Sequence, residues 1–92
     1  MENSNIIKGT TTSGFAFEID KTRIDDMEFI DTLAELKQGD YLAISRVADF
    51  LLGKEQKKAL YEHIRKQHGT AKVSVFGDEI TEILSYREET KN

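Results

Sequence analysis

The side chains that could do acid–base or metal chemistry are few in this sequence, and their spacing does not favour it. His63 and His68 are the only histidines. Five residues on a helix separate them by about 140°, because each residue turns by about 100°, whereas two ligands on one helix face lie at i and i+4. His63 falls beside Leu60 and Ile64, so we expect a half-buried structural histidine and no metal site.

The acidic residues and serines also lack a catalytic arrangement. Carboxylates occur as adjacent pairs, as at Asp25-Asp26 and Asp78-Glu79, and neighbouring helical positions point in different directions. The serines do not lie in a nucleophile elbow. The sequence has no cysteine, which excludes thiolate zinc sites, disulfides and a cysteine nucleophile. We therefore expect a protein that is not an enzyme and that needs no cofactor.

Length and charge narrow the remaining functions. A chain of 92 residues is typical of one domain, and a net charge of −4 disfavours general nucleic-acid binding. The charge is uneven, since residues 18–40 hold eight acids and three bases and residues 54–72 hold six bases and two acids. Two interpretations stay open: solvated helix faces, or oppositely charged patches that dock head to tail or on a partner.

The elements that carry these residues are predicted to be a hairpin and then helices. Residues 5–20 form the hairpin, with a turn at Ser13-Gly14 and alternation of Phe15, Phe17 and Ile19 with polar or small residues. A lone two-stranded hairpin is marginal in water, so it must pack on the helices or pair with another chain. The predicted class is α+β, mainly α, with the hairpin packed on a bundle of about four short helices in one domain, 1–92.

Glycines and capping residues set the predicted helix ends. Four helices are expected at about 25–38, 42–52, 54–68 and 74–87, and residues 1–4 and 88–92 are expected to be disordered. Asp25, with Glu28 three residues later, has capping-box spacing. The other predicted N-caps are Asp40 and Ser74, and the predicted helix-ending glycines are Gly39, Gly53 and Gly69.

The first long helix carries more apolar surface than docking on a core requires. Phe29, Leu33 and Leu36 lie along one line, and Met27, Ile30 and Ala34 lie along its neighbour. A chain this short covers only part of such surface, and we expect the remainder to form a groove for a partner helix. The predicted contacts are Met27, Ile30, Phe50 and Leu51, with an acidic rim of Asp26, Asp31 and Glu35. The alternatives are that these apolar residues are core, or that oligomerisation alone buries them.

Self-association is also expected. A hairpin presents unpaired strand edges that readily pair with another chain, and the two oppositely charged segments, 18–40 and 54–72, add attraction between copies. The sequence therefore predicts dimers or larger rings, which salt weakens if the charges matter.

Four segments taken in order resemble a known family. They are TSGFAFEID at 12–20, IDDMEFIDTLAEL at 24–36, FLLGKEQKKALYEHIR at 50–65 and HGTAKVSVFGDEITEIL at 68–84. Their succession is similar to that of the tail assembly chaperones of long-tailed phages (siphophages and prophages) of Gram-positive bacteria, over roughly residues 10–84. None of these segments is a catalytic motif, and the resemblance rests on their order and spacing.

The resemblance implies an assembly factor that acts in the host bacterial cytoplasm and is absent from the mature virion. Such chaperones bind the long, apolar tape measure protein, keep it soluble and help to recruit tail tube subunits. We also expect no membrane association, since the sequence has no apolar run near the ~18 residues of a membrane span, and we expect no signal peptide in MENSNIIKGT at its start. The alternative is a small DNA-binding regulator, with its second and third helices joined at Gly53 and phosphate contacts from the third helix. Those contacts would be Lys57, Lys58, Arg65 and Lys66.

Overall fold

A computed structural model of the protein describes residues 5–89, with side chains as far as Tyr86. Two strands lead into four helices. They are β1 (Ile6–Thr10), β2 (Ala16–Asp20), α1 (Lys21–Ile24), α2 (Met27–Lys37), α3 (Ala43–His68) and α4 (Val73–Glu89). This confirms the predicted α+β, mainly helical class with an N-terminal hairpin. No helix within residues 5–89 combines the length and the hydropathy needed to cross a membrane.

The hairpin is antiparallel, with Ile7 opposite Ile19 and Gly9 opposite Phe17. Side chains of a strand alternate between its two faces, and the buried inner face of this hairpin includes Ile7, Phe17 and Ile19. This face packs mainly on α3 and α4. The predicted turn is present, with Gly14 at φ 98°. The hairpin thus packs on the helices, as a two-stranded sheet must in a single chain.

The two outer edges of the hairpin differ. Asn5 pairs with Lys21, and Thr11 with Phe15, through backbone hydrogen bonds of 2.8 and 2.9 Å. Because hydrogen-bonded pairs alternate along an antiparallel ladder, the backbone groups of residues 6, 8 and 10 and of 16, 18 and 20 point outward. The Gln56 amide bonds both outward groups of Glu18, each at 2.8 Å.

The β1 edge is more open. The Tyr86 hydroxyl donates to the Thr10 carbonyl at 2.6 Å. Among the residues that the structure describes, the outward backbone groups of Ile6 and Lys8 meet no partner.

A short extra helix, α1, corrects the predicted start of the first long helix. Asp20 caps α1 by accepting from the backbone N–H and the hydroxyl of Thr22, at 3.0 and 2.7 Å, and these bonds lower the pKa of its carboxyl below the ordinary value. Asp25 ends α1 by donating its backbone N–H to Lys21. The N-cap of α2 is therefore Asp26, which accepts from the Glu28 N–H at 2.7 Å, and the predicted Asp25 capping box is wrong.

Two further N-cap predictions are wrong. The residue before α3 is Leu42, which makes no side-chain cap. The predicted cap, Asp40, accepts from the Ala43 N–H with its backbone carbonyl and not with its carboxylate. Helix α4 begins at Val73, one residue early, so Ser74 lies in its first turn.

The end of α4 also differs from the expectation. The helix continues to Glu89, two residues beyond the predicted end at about 87, since Arg and Glu are good helix formers. The expected disorder of 1–4 and 88–92 stays a prediction, and residues 1–4 and 90–92 lie outside the described range.

The second and third predicted helices form one element broken at Gly53. Gly53 has φ 79° and ψ 167° inside α3, a combination that only glycine adopts readily. The predicted boundary between 42–52 and 54–68 therefore falls where the helical path is interrupted. The part of α3 before Gly53 packs on α2, and the part after it packs on β2 and α4. This one residue therefore sets the angle between the two parts of α3.

We expect Gly53→Asn to destabilise the fold by about 1–3 kcal/mol, because a side chain is strained in this backbone region. Gly69→Asn is the matched control, since Gly69 is a helix C-cap in the left-handed α region, which asparagine tolerates. Urea unfolding of both variants measures the difference. Equal losses at the two positions would contradict the assignment of Gly53.

Candidate partner-binding surface

The two apolar lines of α2 differ in burial. Phe29 and Leu33 are buried and Leu36 is half-buried in the core, whereas Met27, Ile30 and Ala34 are exposed. Met27 is 69% exposed and Ile30 is 46% exposed. In the described part of the chain, one line therefore faces the core and the neighbouring line is exposed to solvent.

Of the two α3 residues predicted to join this surface, only one is accessible. The Phe50 ring is half-buried and meets Phe29 edge to face, with ring centroids 5.7 Å apart. Leu51 is fully buried in the core, so its prediction as a partner contact is wrong for the folded chain. The reason is its position on the same helix face as Val47 and Ala48, which are also fully buried.

Acidic side chains border the exposed apolar line on one side. At about 100° per residue, Asp31 lies about 40° from Met27 around the helix, with Glu28 and Glu35 beyond it. Asp26, Glu28 and Asp31 are exposed and make no ion pair among the described residues. Glu35 differs, because its carboxylate bonds the Arg46 guanidinium at 2.6 Å. We name Met27, Ile30, Glu28 and Asp31 the α2 surface.

A second exposed apolar cluster lies beyond the other end of α2 and was not predicted. Leu42 is 82% exposed, and Tyr41 and Val73 are about half exposed or more. The Tyr41 hydroxyl donates to the Val73 carbonyl at 3.3 Å, which joins the starts of α3 and α4. The sequence gives little indication of this cluster, since its residues fall outside the apolar stripes of the predicted helices, in the segments that connect them.

The basic segment of α3 lines a hollow of about 280 Å³, with Tyr61 as its aromatic wall. The Lys57 ammonium is already engaged by the Ser45 hydroxyl at 2.7 Å and the Asp49 carboxylate at 3.2 Å. Lys54 and Lys58, by contrast, are exposed and form no ion pair within the described chain. We name Lys54, Lys58 and Tyr61 the α3 surface.

His63 belongs to a polar cluster that fastens the hairpin turn to the helices. The Ser13 hydroxyl donates to Glu79 Oε2 at 2.8 Å and lies 3.0 Å from His63 Nε2. Since the serine proton is used on Glu79, His63 acts as the donor to Ser13, which is the reverse of a base activating a nucleophile. His63 also packs on Phe15, with ring centroids 5.6 Å apart. The expected half-buried structural histidine is confirmed.

The described residues contain no group of three or more His, Asp or Glu side chains placed to hold a metal ion. The features that stand out are surfaces: an apolar strip with an acidic border, a basic hollow and an apolar cluster. Comparison of the chain with family models, with curated proteins and with solved structures finds no match.

We expect Ser13→Ala to lower the free energy of unfolding by about 1–3 kcal/mol, the cost of leaving a buried polar group unsatisfied. Glu79 is buried and its Oε1 already lacks a partner among the described residues, so the substitution leaves both carboxylate oxygens unbonded. Ser74→Ala, at an exposed position, is the control and should change stability by less than about 0.5 kcal/mol. Chemical unfolding followed by circular dichroism compares the two, and equal effects would contradict an anchoring role for Ser13.

Proposed function

We propose that the chain is a tail assembly chaperone of a long-tailed phage, which binds an apolar helical segment of the tape measure protein on its α2 surface. The observation that carries this proposal is the exposure of Met27 and Ile30 on a helix whose neighbouring line fills the core. Large apolar side chains grouped beside polar ones mark interaction sites. The half-buried Phe50 ring packs against Phe29, which lies on the covered line of the same helix.

The chemistry of the surface supports an apolar helical partner. An amphipathic or apolar helix docks through residues at i, i+3, i+4 and i+7 into a strip of this kind. The unpaired carboxylates of Glu28 and Asp31 border the strip and keep the complex hydrated once the apolar residues are covered. The family resemblance of residues 10–84 supplies the identity of that helix, a segment of the tape measure protein.

The remaining parts of the proposal follow from the same resemblance. The protein works in the host bacterial cytoplasm, helps to bring tail tube subunits to the tape measure protein and leaves before the virion is complete. It acts by covering surface and not by chemistry. Its target class is a long apolar helix that would otherwise aggregate.

A DNA-binding regulator has less support. Of the four cations that would contact phosphate, Lys57 is held by Asp49 and Ser45, and Arg65 is paired with Glu62. Retention on duplex DNA at about 0.15 M salt would favour this alternative, because phosphate contacts dominate such binding.

The proposal predicts that co-expression with the tape measure protein of its phage makes that protein soluble, and that Ile30→Glu abolishes the effect. A buried, unpaired carboxylate is strongly unfavourable in an apolar contact, and a loss of about 1.4 kcal/mol already lowers affinity tenfold. The readout is the fraction of tape measure protein in the soluble lysate and its co-purification with the chain.

Val73→Glu is the matched control, since it places the same charge at another exposed apolar position. Both variants should keep the wild-type circular dichroism spectrum. If the wild-type chain leaves the tape measure protein insoluble, the function is wrong. If Ile30→Glu solubilises it as well as Val73→Glu does, the surface is misplaced.

A further inference from the structure

The open edge of β1 carries a short row of backbone hydrogen-bonding groups. The N–H and C=O groups of Ile6 and Lys8 point away from β2 and meet no partner among the described residues. The row ends at Thr10, because the Tyr86 hydroxyl already donates to the Thr10 carbonyl at 2.6 Å. Donors and acceptors in this alternation match those of another extended chain. The edge therefore selects the backbone conformation of whatever binds it.

The Lys8 side chain determines which extended chain the edge favours. It is 74% exposed on the outer face of the hairpin, and its ionic contact among the described residues is Glu18, at 4.0 Å. A lysine on an edge strand opposes the pairing of identical strands, since like charges directly across a ladder destabilise it. An incoming strand with an acidic residue opposite Lys8 is stabilised instead. The charge thus disfavours a second copy of β1 and favours a partner that carries an acid.

Ile7 sets the character of the next position. It lies between Ile6 and Lys8 and points to the inner face of the hairpin, where it is 6% exposed. Successive residues of a strand point to opposite faces, so a residue opposite Ile7 in an added strand also points toward the helices. An apolar side chain at that position continues the buried face of the sheet.

We propose that β1 binds an extended segment of a partner protein, which adds antiparallel to the hairpin as a third strand, with an acidic residue opposite Lys8 and an apolar residue opposite Ile7. Main-chain hydrogen bonds to Ile6 and Lys8 supply affinity, and the alternating side chains supply specificity. The site lies on the hairpin and not on the α2 surface. It therefore stands or falls independently of binding to the tape measure protein.

Two capped synthetic peptides of alternating glutamate and valine test the proposal on the full chain. In an antiparallel strand beside β1 with glutamate opposite Lys8, the glutamate backbone groups face Ile6 and Lys8, whereas the valine backbone groups face solvent. A peptide that is N-methylated on its valines should therefore bind. A peptide that is N-methylated on its glutamates has the same charge but loses the N–H groups that pair with β1, so it should not bind.

Amide NMR of the isotope-labelled chain gives the readout. At saturation, the first peptide should slow hydrogen exchange of the Ile6 and Lys8 N–H groups by about tenfold or more, and the second should leave it unchanged. The Glu18 N–H, which the Gln56 side chain already holds at 2.8 Å, is the internal reference and should exchange at the same rate throughout.

Substitutions of Lys8 give an independent test. Proline is tolerated on edge strands where its N–H would face solvent, so Lys8→Pro should keep the wild-type circular dichroism spectrum and lose peptide binding. Lys8→Glu should weaken binding of the valine-methylated peptide about tenfold, a change of about 1.4 kcal/mol, and should favour a matching lysine–valine peptide. Lys72→Glu, the same charge change at an exposed position before α4, is the control and should bind like the wild type.

Three results would overturn the proposal: unchanged exchange at Ile6 and Lys8 with both peptides, equal binding of the two peptides, or wild-type binding by a folded Lys8→Pro variant. If Lys8→Pro does not fold, the pair of peptides still decides. Ile6 and Lys8 N–H groups that are protected in the free chain and lose protection on dilution would assign the edge to a second copy, which also contradicts the proposal.

Discussion

The fold depends on burying one face of a two-stranded hairpin that would not be stable alone. Ile7, Phe17 and Ile19 supply that face, and α3 and α4 supply the surface that receives it. The geometry of the receiving surface follows from Gly53, whose backbone breaks α3 into one part that meets α2 and another that meets the hairpin. The position of the hairpin and the position of α2 therefore both depend on the interruption of α3 at Gly53.

Polar contacts determine where the hairpin lies along α4. Apolar faces tolerate small shifts, whereas the bonds of Ser13 to Glu79 and of the Thr12 backbone N–H to Glu82, both 2.8 Å, hold the hairpin turn at one place along α4. The Tyr86 hydroxyl fixes the other end of the contact through the Thr10 carbonyl. These side-chain hydrogen bonds thus fix the position of the hairpin along α4, which backbone hydrogen bonds do not do.

Periodicity in the sequence predicted the hairpin, the long helices that follow it and the two apolar lines of α2, but not the short helix α1. It failed where a tertiary contact or a single turn decides the outcome. Asp25 and Asp26 are equivalent as capping residues, and only the presence of α1 selects Asp26. Leu51 looked available as a contact because α3 has a wide apolar face, but the core needs that face. The bond between Ser13 and Glu79 joins residues far apart in sequence, which no local pattern reveals.

The Gln56 amide has a consequence for how this chain behaves when it is abundant. One donor and one acceptor on a single side chain satisfy Glu18 at the middle of the β2 edge, much as a neighbouring strand would. Strand addition that runs through both edges of a sheet propagates without limit and leads to fibrils. Here, Gln56 covers the middle of the β2 edge, so a strand that adds there must first displace the glutamine amide from Glu18. The glutamine therefore disfavours strand addition at β2 relative to the outward groups of Ile6 and Lys8 on β1.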